Sequence, residues 1–130
     1  MPERSADWFR QAESDLRHAR HALEDGDFDW AAFASHQAAE KGIKAVFQKR
    51  HLDAWGHALS QLLPLLPEET GRTVSLIDCA KRLDKHYIPT RYPNGFDCGA
   101  PVDFYTCQEA EQAIRDAEVV LEFCRRQVDR

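Results

Sequence analysis

Two groups of side chains in this sequence have the types and spacing to hold a phosphate-bearing ligand. Gln37, Lys41, Lys44 and Gln48 recur at i, i+4, i+7 and i+11, with Glu40 at their margin. On a helix this sets two ammonium groups about one turn apart, where they can grip a phosphate. Gln37 and Glu40 beside them can hydrogen-bond a base or a ribose. The same spacing also fits a plain solvated strip in which Glu40 and Lys44 form an i, i+4 ion pair. The second group is the basic run Lys81, Arg82, Lys85, His86, Tyr87, then Arg91 and Tyr92, opposed only by Asp84. Arg82, Lys85 and His86 share a helix face by spacing. Pro93 biases Tyr92 toward an extended backbone, so Arg91 and Tyr92 can present a guanidinium beside a phenol for phosphate contact and base stacking. The alternative is that Arg91 pairs with an acid of the last helix while Tyr92 packs.

The six histidines offer acid-base chemistry or metal binding. His18 and His21 fall on the polar side of a helix beside Arg17 and Arg20 and read as surface residues. His57 follows Gly56 at a helix start, where a side chain can cap or protrude. No H-x-x-x-H or carboxylate-histidine set has metal-ligand spacing, and no phosphate-binding glycine loop or nucleophile elbow occurs. Cys79, Cys98, Cys107 and Cys124 form no C-x-x-C pair and match no zinc spacing. No metal site is expected.

The elements that must carry these groups are helical. Trp8, Ala12, Leu16, Ala19 and Leu23 step by 4, 4, 3 and 4 along one face of a first helix. Ser5 fits its N-cap, and Gly26 its left-handed stop. Asp27 fits the cap of a second helix over residues 28–50, apolar around most of its circumference and therefore expected at the centre. Residues 51–56 connect it to a short third helix over 57–66, with Pro64 predicting a kink or an early stop. A fourth covers 73–86 with Val74, Ile77, Ala80 and Leu83 on its apolar face. Residues 88–105 hold three prolines and Asn94-Gly95, which exclude a regular element of any length, while Tyr92, Phe96, Phe104 and Tyr105 favour a packed loop. Thr106 and Glu109 form a capping box that opens a last helix bearing Ala110, Ala113, Ala117, Leu121, Cys124 and Val128 on one face. The expected fold is all-α: an up-and-down four-helix bundle with an additional short helix, a single domain over residues 1–130.

Composition bounds the functions this fold can serve. With 130 residues, 22 acids against 17 bases and a net charge of −5, the chain lacks the cationic excess of a sequence-independent nucleic-acid binder. A local basic patch remains compatible with it. The longest uncharged run, residues 54–67, contains two prolines and is too short to span a membrane. The first residues lack the apolar core of a signal peptide, so the expected location is cytoplasmic.

Read together, Trp8, Ala12, Asp15-Leu16, Ala19, Gly26-Asp27-Phe28 and Gln37-Ala38-Ala39-Glu40-Lys41-x-x-Lys44 resemble the HEPN domain family. The similarity continues through Trp55-Gly56-His57, then Leu83 to Pro93 with its Tyr-Ile-Pro-Thr-Arg-Tyr-Pro string, and the closing helix. It covers essentially the whole chain. The resemblance implies a helical bundle that usually dimerises and binds a nucleotide, with no further cofactor. It also implies a minimal nucleotidyltransferase as partner, commonly in a toxin-antitoxin pair. Other branches of the family are metal-independent ribonucleases with an R-x(4–6)-H motif. Arg82 and His86 are one residue too close for that motif. Arg50 and His57 match it formally but straddle the connector after the second helix, so no catalytic assignment is carried onto them. The nucleotide-binding candidates are Gln37, Glu40, Lys41, Lys44, Arg91 and Tyr92, with His57, His86 and Arg82 secondary. A metal-independent ribonuclease with His57 or His86 as acid-base group, and a purely structural dimerisation or protein-interaction domain, stand as alternatives.

Overall fold

Alanine-rich helices approach closely, and the second helix of this chain is built on that property. The computed structural model describes residues 3–129. In it, α1 (Ser5–Glu24), α2 (Phe28–Lys49), α4 (Val74–Asp84) and α6 (Cys107–Val128) are the long elements, with α3 (Leu59–Leu62) and α5 (Pro101–Phe104) as single turns. The all-α bundle expected from periodicity is what forms, with no strand among the described residues. Helix α2 lies between α1 and α6 and also touches α3, α4 and α5. Ala31, Ala32, Ala38, Ala39, Ile43, Ala45 and Val46 are fully buried along it. At Gly42 a Cβ would overlap the Leu121 side chain, so glycine there is what lets α6 come so near.

The turn between α1 and α2 follows from Gly26. Its φ of +81° supplies the left-handed step. The Asp27 N–H then donates to Ala22 O (2.8 Å) and the Gly26 N–H to Leu23 O (3.1 Å), the paired bonds of a Schellman stop. The capping box at the start of α6 is present: Glu109 N donates to Thr106 Oγ1 at 3.0 Å, and Thr106 N to Glu109 Oε1 at 3.2 Å.

Four local expectations need correction. Ser5 is the first helical residue of α1 rather than its cap; Arg4 holds the cap position and the Ser5 N–H is taken by the Glu3 carboxylate. Helix α4 buries Leu76, Cys79, Ala80 and Leu83, while Val74 is 79% exposed, so its apolar face is rotated from the one expected. The packing of α4 on α3 and α6 selects that face, while the Thr73 hydroxyl, accepting from Leu76 N, caps the first turn. The third helix is shorter than residues 57–66, because Pro64 tightens Leu63–Leu65 into a 3₁₀ turn. Residues 88–105 are not wholly irregular. Pro93–Gly95 forms a 3₁₀ turn, and Pro101 opens α5 from the first helical position, where its missing N–H costs nothing. Its aromatic residues pack only in part: Phe96 and Phe104 stack at 4.6 Å, while Tyr92 and Phe104 stay exposed.

Helix α2 ends on a strained residue. His51 has φ +56°, and the bonds Leu52 N to Phe47 O (2.9 Å) and His51 N to Gln48 O (3.1 Å) repeat the Schellman pattern without a glycine. A β-carbon in that conformation costs about 1–2 kcal/mol. His51→Gly is therefore expected to raise stability by about 0.5–1 kcal/mol after the entropy glycine adds to the unfolded chain. Urea denaturation checks this; a midpoint at or below that of the unaltered chain would mean His51 carries no strain.

Candidate functional site

A carboxylate on the central helix organises the site. The Glu40 side chain is only 7% exposed, and it does not stand alone. Its Oε2 accepts from Lys44 Nζ at 3.2 Å, the i, i+4 pair foreseen from spacing, and its Oε1 lies 2.7 Å from His57 Nδ1. One turn earlier, Lys41 Nζ donates to Asp15 Oδ2 of α1 at 2.6 Å and to Gln37 Oε1 at 3.4 Å. Gln37 Nε2 is 3.3 Å from His36 Nδ1, and His36 Nε2 is 3.1 Å from the His57 carbonyl oxygen. A carbonyl can only accept, so His36 carries its proton on Nε2, and Nδ1 accepts from the Gln37 amide. The stripe is thus not a solvated strip. It is a half-buried network in which both ends of the Gln37 amide are already engaged.

Three neighbours fix His57. Asp84, at the end of α4, accepts from Leu59 N (2.6 Å), Ser60 N (3.2 Å) and Ser60 Oγ (2.5 Å), so it caps the α3 turn that His57 precedes. The Tyr87 ring stacks on the His57 ring at 4.5 Å and an interplanar angle of 17°. Fully buried His36 packs against the same phenol at 5.1 Å. His57 remains 50% exposed. With Nδ1 on Glu40, its Nε2 is bonded by no protein group among the described residues and can exchange a proton with a ligand.

Arg91 approaches from the loop after α4. Its guanidinium lies over Phe33 (4.4 Å), Tyr87 (4.7 Å) and Tyr92 (5.1 Å). Nε and Nη2 donate to Tyr87 O at 2.9 and 2.7 Å. Arg91 therefore meets aromatic rings and a carbonyl in place of the acid that the alternative reading assigned it. Bonds and ring contacts link the six primary candidates, Gln37, Glu40, Lys41, Lys44, Arg91 and Tyr92, into one chain through His57, Tyr87 and the fully buried His36. The sequence reading singles out neither His36 nor Phe33, because a buried histidine and an aromatic on an apolar helix carry no local sign of function.

Arg82 and His86 lie elsewhere and do not share a helix face, because α4 ends at Asp84. Arg82 makes a two-pronged contact with Asp116 of α6, both bonds 2.9 Å, and Asp116 also accepts from Gln112. That bonding holds the Arg82 guanidinium more firmly protonated than usual. His86 Nδ1 is 3.1 Å from the Tyr105 hydroxyl, whose pKa burial pushes up to about 12. Arg50, the other half of the formal motif, turns to Glu69 at 3.4 Å rather than to His57. Among the described residues no group of three or more His, Cys, Asp or Glu side chains is placed to hold a metal ion. No helix among them is long and apolar enough to cross a membrane.

Burial pulls His36 and His86 below the ordinary 6.5, so both are neutral in the fold at pH 7. The unfolded chain binds protons near 6.5 more readily than the folded one. The stability tied to these neutral rings is complete above that value and is lost as pH falls through the lowered ones. The urea midpoint is expected to drop between about pH 7.5 and about pH 5.5, and to drop less in His36→Gln or His86→Gln. A drop of the same size in both variants would mean these rings do not set it.

The geometry stands beside proteins of known sequence and structure. A Methanocaldococcus jannaschii protein named "Putative toxin MJ1304" is 27% identical over 124 residues, spanning 88% of this chain and 82% of its own. The crystal structure of TT1696 from Thermus thermophilus superposes with a TM-score of 0.94 at 43% identity, covering 97% of this chain and 99% of that one. ST0689, an archaeal HEPN homologue, gives 0.83 at 36% identity over 98% and 99%. A HEPN domain protein of Thermotoga maritima, tm0613, gives 0.77 at 36% over 95% and 98%. The family model of the HEPN domain matches residues 5–127, from the first turn of α1 to the last of α6, and the chain belongs to that family.

Proposed function

We propose that this chain is a HEPN-type module that binds a nucleotide or nucleotidyl group and acts, as a homodimer, with a minimal nucleotidyltransferase in a toxin-antitoxin pair. The observation that carries the reading is the ring-held Arg91 guanidinium, linked through Tyr87 to His57 and the Glu40–Lys44 pair. Arg91 meets no carboxylate among the described residues, so an incoming phosphate would be the strongest acceptor it finds. Tyr92, 49% exposed, supplies a face for a base. Lys41 and Lys44 are drawn off by Asp15 and Glu40, which assigns most of the phosphate contact to Arg91. The toxin-antitoxin setting is supported by the name of the archaeal relative.

A second reading, metal-independent RNA cleavage, is favoured by the Glu40–His57 pair. Glu40 holds Nδ1–H, leaving Nε2 as the basic nitrogen, and an imidazole so oriented suits proton transfer at a 2′-hydroxyl or leaving oxygen. Of the two candidate histidines, His57 faces solvent while His86 is engaged by Tyr105 and held neutral.

Two measurements separate the readings. Calorimetric titration with AMP and ATP is expected to show Lys41→Ala plus Arg91→Ala weakening binding by roughly tenfold or more; unchanged affinity removes the site. Incubation with RNA in EDTA tests cleavage. If His57→Ala abolishes cleavage, Glu40→Gln slows it and His86→Ala retains it, the second reading holds. An unaltered chain that leaves RNA intact at every concentration ends it.

A further inference from the structure

One concavity meets the residues described above only at Lys41. It is an open groove of about 660 Å³ along the first half of α1, walled on its far side by Lys41. That volume falls within the range of small-molecule sites. Trp8 and Gln11 line it from α1, with Asp7 and Arg10 beside them and Arg4 at the helix cap. In a chain of net charge −5, the lining carries three cations against Asp7.

The cations converge. Arg4 Nε reaches Asp7 Oδ2 at 3.1 Å, and Arg10 Nη2 reaches Asp7 Oδ1 at 3.7 Å, so two guanidinium groups lean on a single carboxylate. Both arginine side chains are largely exposed, and ion pairs in that setting hold weakly. A phosphate, with more charge and more acceptor oxygens, can take both arginines from Asp7. At the other end, Asp15 accepts from Gln11 Nε2 (2.9 Å) and Lys41 Nζ (2.6 Å), holding an amide and an ammonium at the groove wall. Between them stands the half-buried indole of Trp8, packed against the core and therefore fixed in orientation. A planar ring between a two-arginine end and an amide end offers a nucleoside phosphate a stacking face, charged contacts and a hydrogen-bonding group.

We propose that this groove is a second site, for a nucleoside phosphate, with the phosphates on Arg4 and Arg10 and the base against Trp8. It rests on the nucleotide-binding reading of the chain and shares Lys41 with the residues named there, but takes its phosphate and base contacts from others. Trp8 also lines a smaller cleft with Lys44 and Trp55.

Trp8 is its own reporter. Trp30 and Trp55 are exposed, so Trp30→Phe plus Trp55→Phe leaves a single indole without touching the core. In that background, ATP and AMP are expected to quench Trp8 saturably. Arg4→Gln plus Arg10→Gln should weaken the response roughly tenfold or more, while Arg91→Ala leaves it in place. Inorganic triphosphate should compete with ATP. No quenching up to millimolar nucleotide overturns the proposal. So does a response removed by Arg91→Ala yet untouched by the arginine pair, which would place the ligand on the Glu40 surface only. Polyglutamate perturbing Trp8 as strongly as ATP would assign the groove to an acidic peptide instead. Because Lys41 also walls the groove, Arg91→Ala alone separates the two sites: weaker calorimetric binding in that variant with the Trp8 response intact supports the groove as a separate site.

Discussion

A carboxylate buried on the central helix of a bundle has to be satisfied, and Glu40 is where this structure meets that demand. Desolvating an ion costs several kcal/mol, and stripping one partner from a buried pair typically costs about 3–5 kcal/mol. Exposed pairs such as Arg20 with Glu118 or Arg125 with Glu13 contribute only about 0–1 kcal/mol. The comparison decides which contacts shape the molecule. Lys44 can reach Glu40 from the same helix, but the second oxygen needs a donor from outside it, and His57 is that donor. The connector after α2 is thereby drawn back onto the helix it has just left. Asp84 capping α3, Tyr87 stacking on the imidazole and His36 bonding the His57 carbonyl all act on the segment so placed.

The same demand explains the neutral state of His36. Its ring is fully buried between the Gln37 amide and a carbonyl, one wanting an acceptor and the other a donor. Only the neutral tautomer protonated on Nε2 serves both, and desolvation pulls the pKa the same way. The chain of bonds from Asp15 through Lys41, Gln37 and His36 to His57 ties α1 to the connector across α2. Each donor in it faces an acceptor. Such a fully matched polar network rigidifies a site, whereas a half-matched one would loosen it.

The fold was legible in the sequence wherever one residue decides a local geometry. Gly26 stops α1, Thr106 and Glu109 start α6, and the apolar circumference of α2 put it at the centre. Legibility failed where the deciding partner is distant or the residue is atypical. Nothing about Ser5 revealed that Glu3 would take its N–H, and nothing about His51 showed that it would hold a left-handed conformation usually left to glycine. In the site, the helical stripe was readable from spacing, because helix geometry alone brings Glu40 to Lys44. The Glu40–His57 and His57–Tyr87 contacts were not, since they join segments 17 and 30 residues apart through the way α3 and α4 pack.

Arg82 and Arg91 show how packing separates residues that sequence treats alike. Both stand in the basic run, and either could have taken an acid of the last helix. Arg82 sits on α4, which packs directly on α6, and Asp116 there is 3% exposed, so the carboxylate needs the guanidinium as much as the reverse. Arg91 leaves on the loop beyond α4, where the Tyr87 carbonyl and the Phe33 ring are what it meets. A cation on aromatic faces is stabilised without being neutralised. One arginine is consumed in holding two helices together, and the other keeps its full charge at the edge of the Glu40 surface. That difference, set by where α4 ends, is what makes the second arginine available to a ligand.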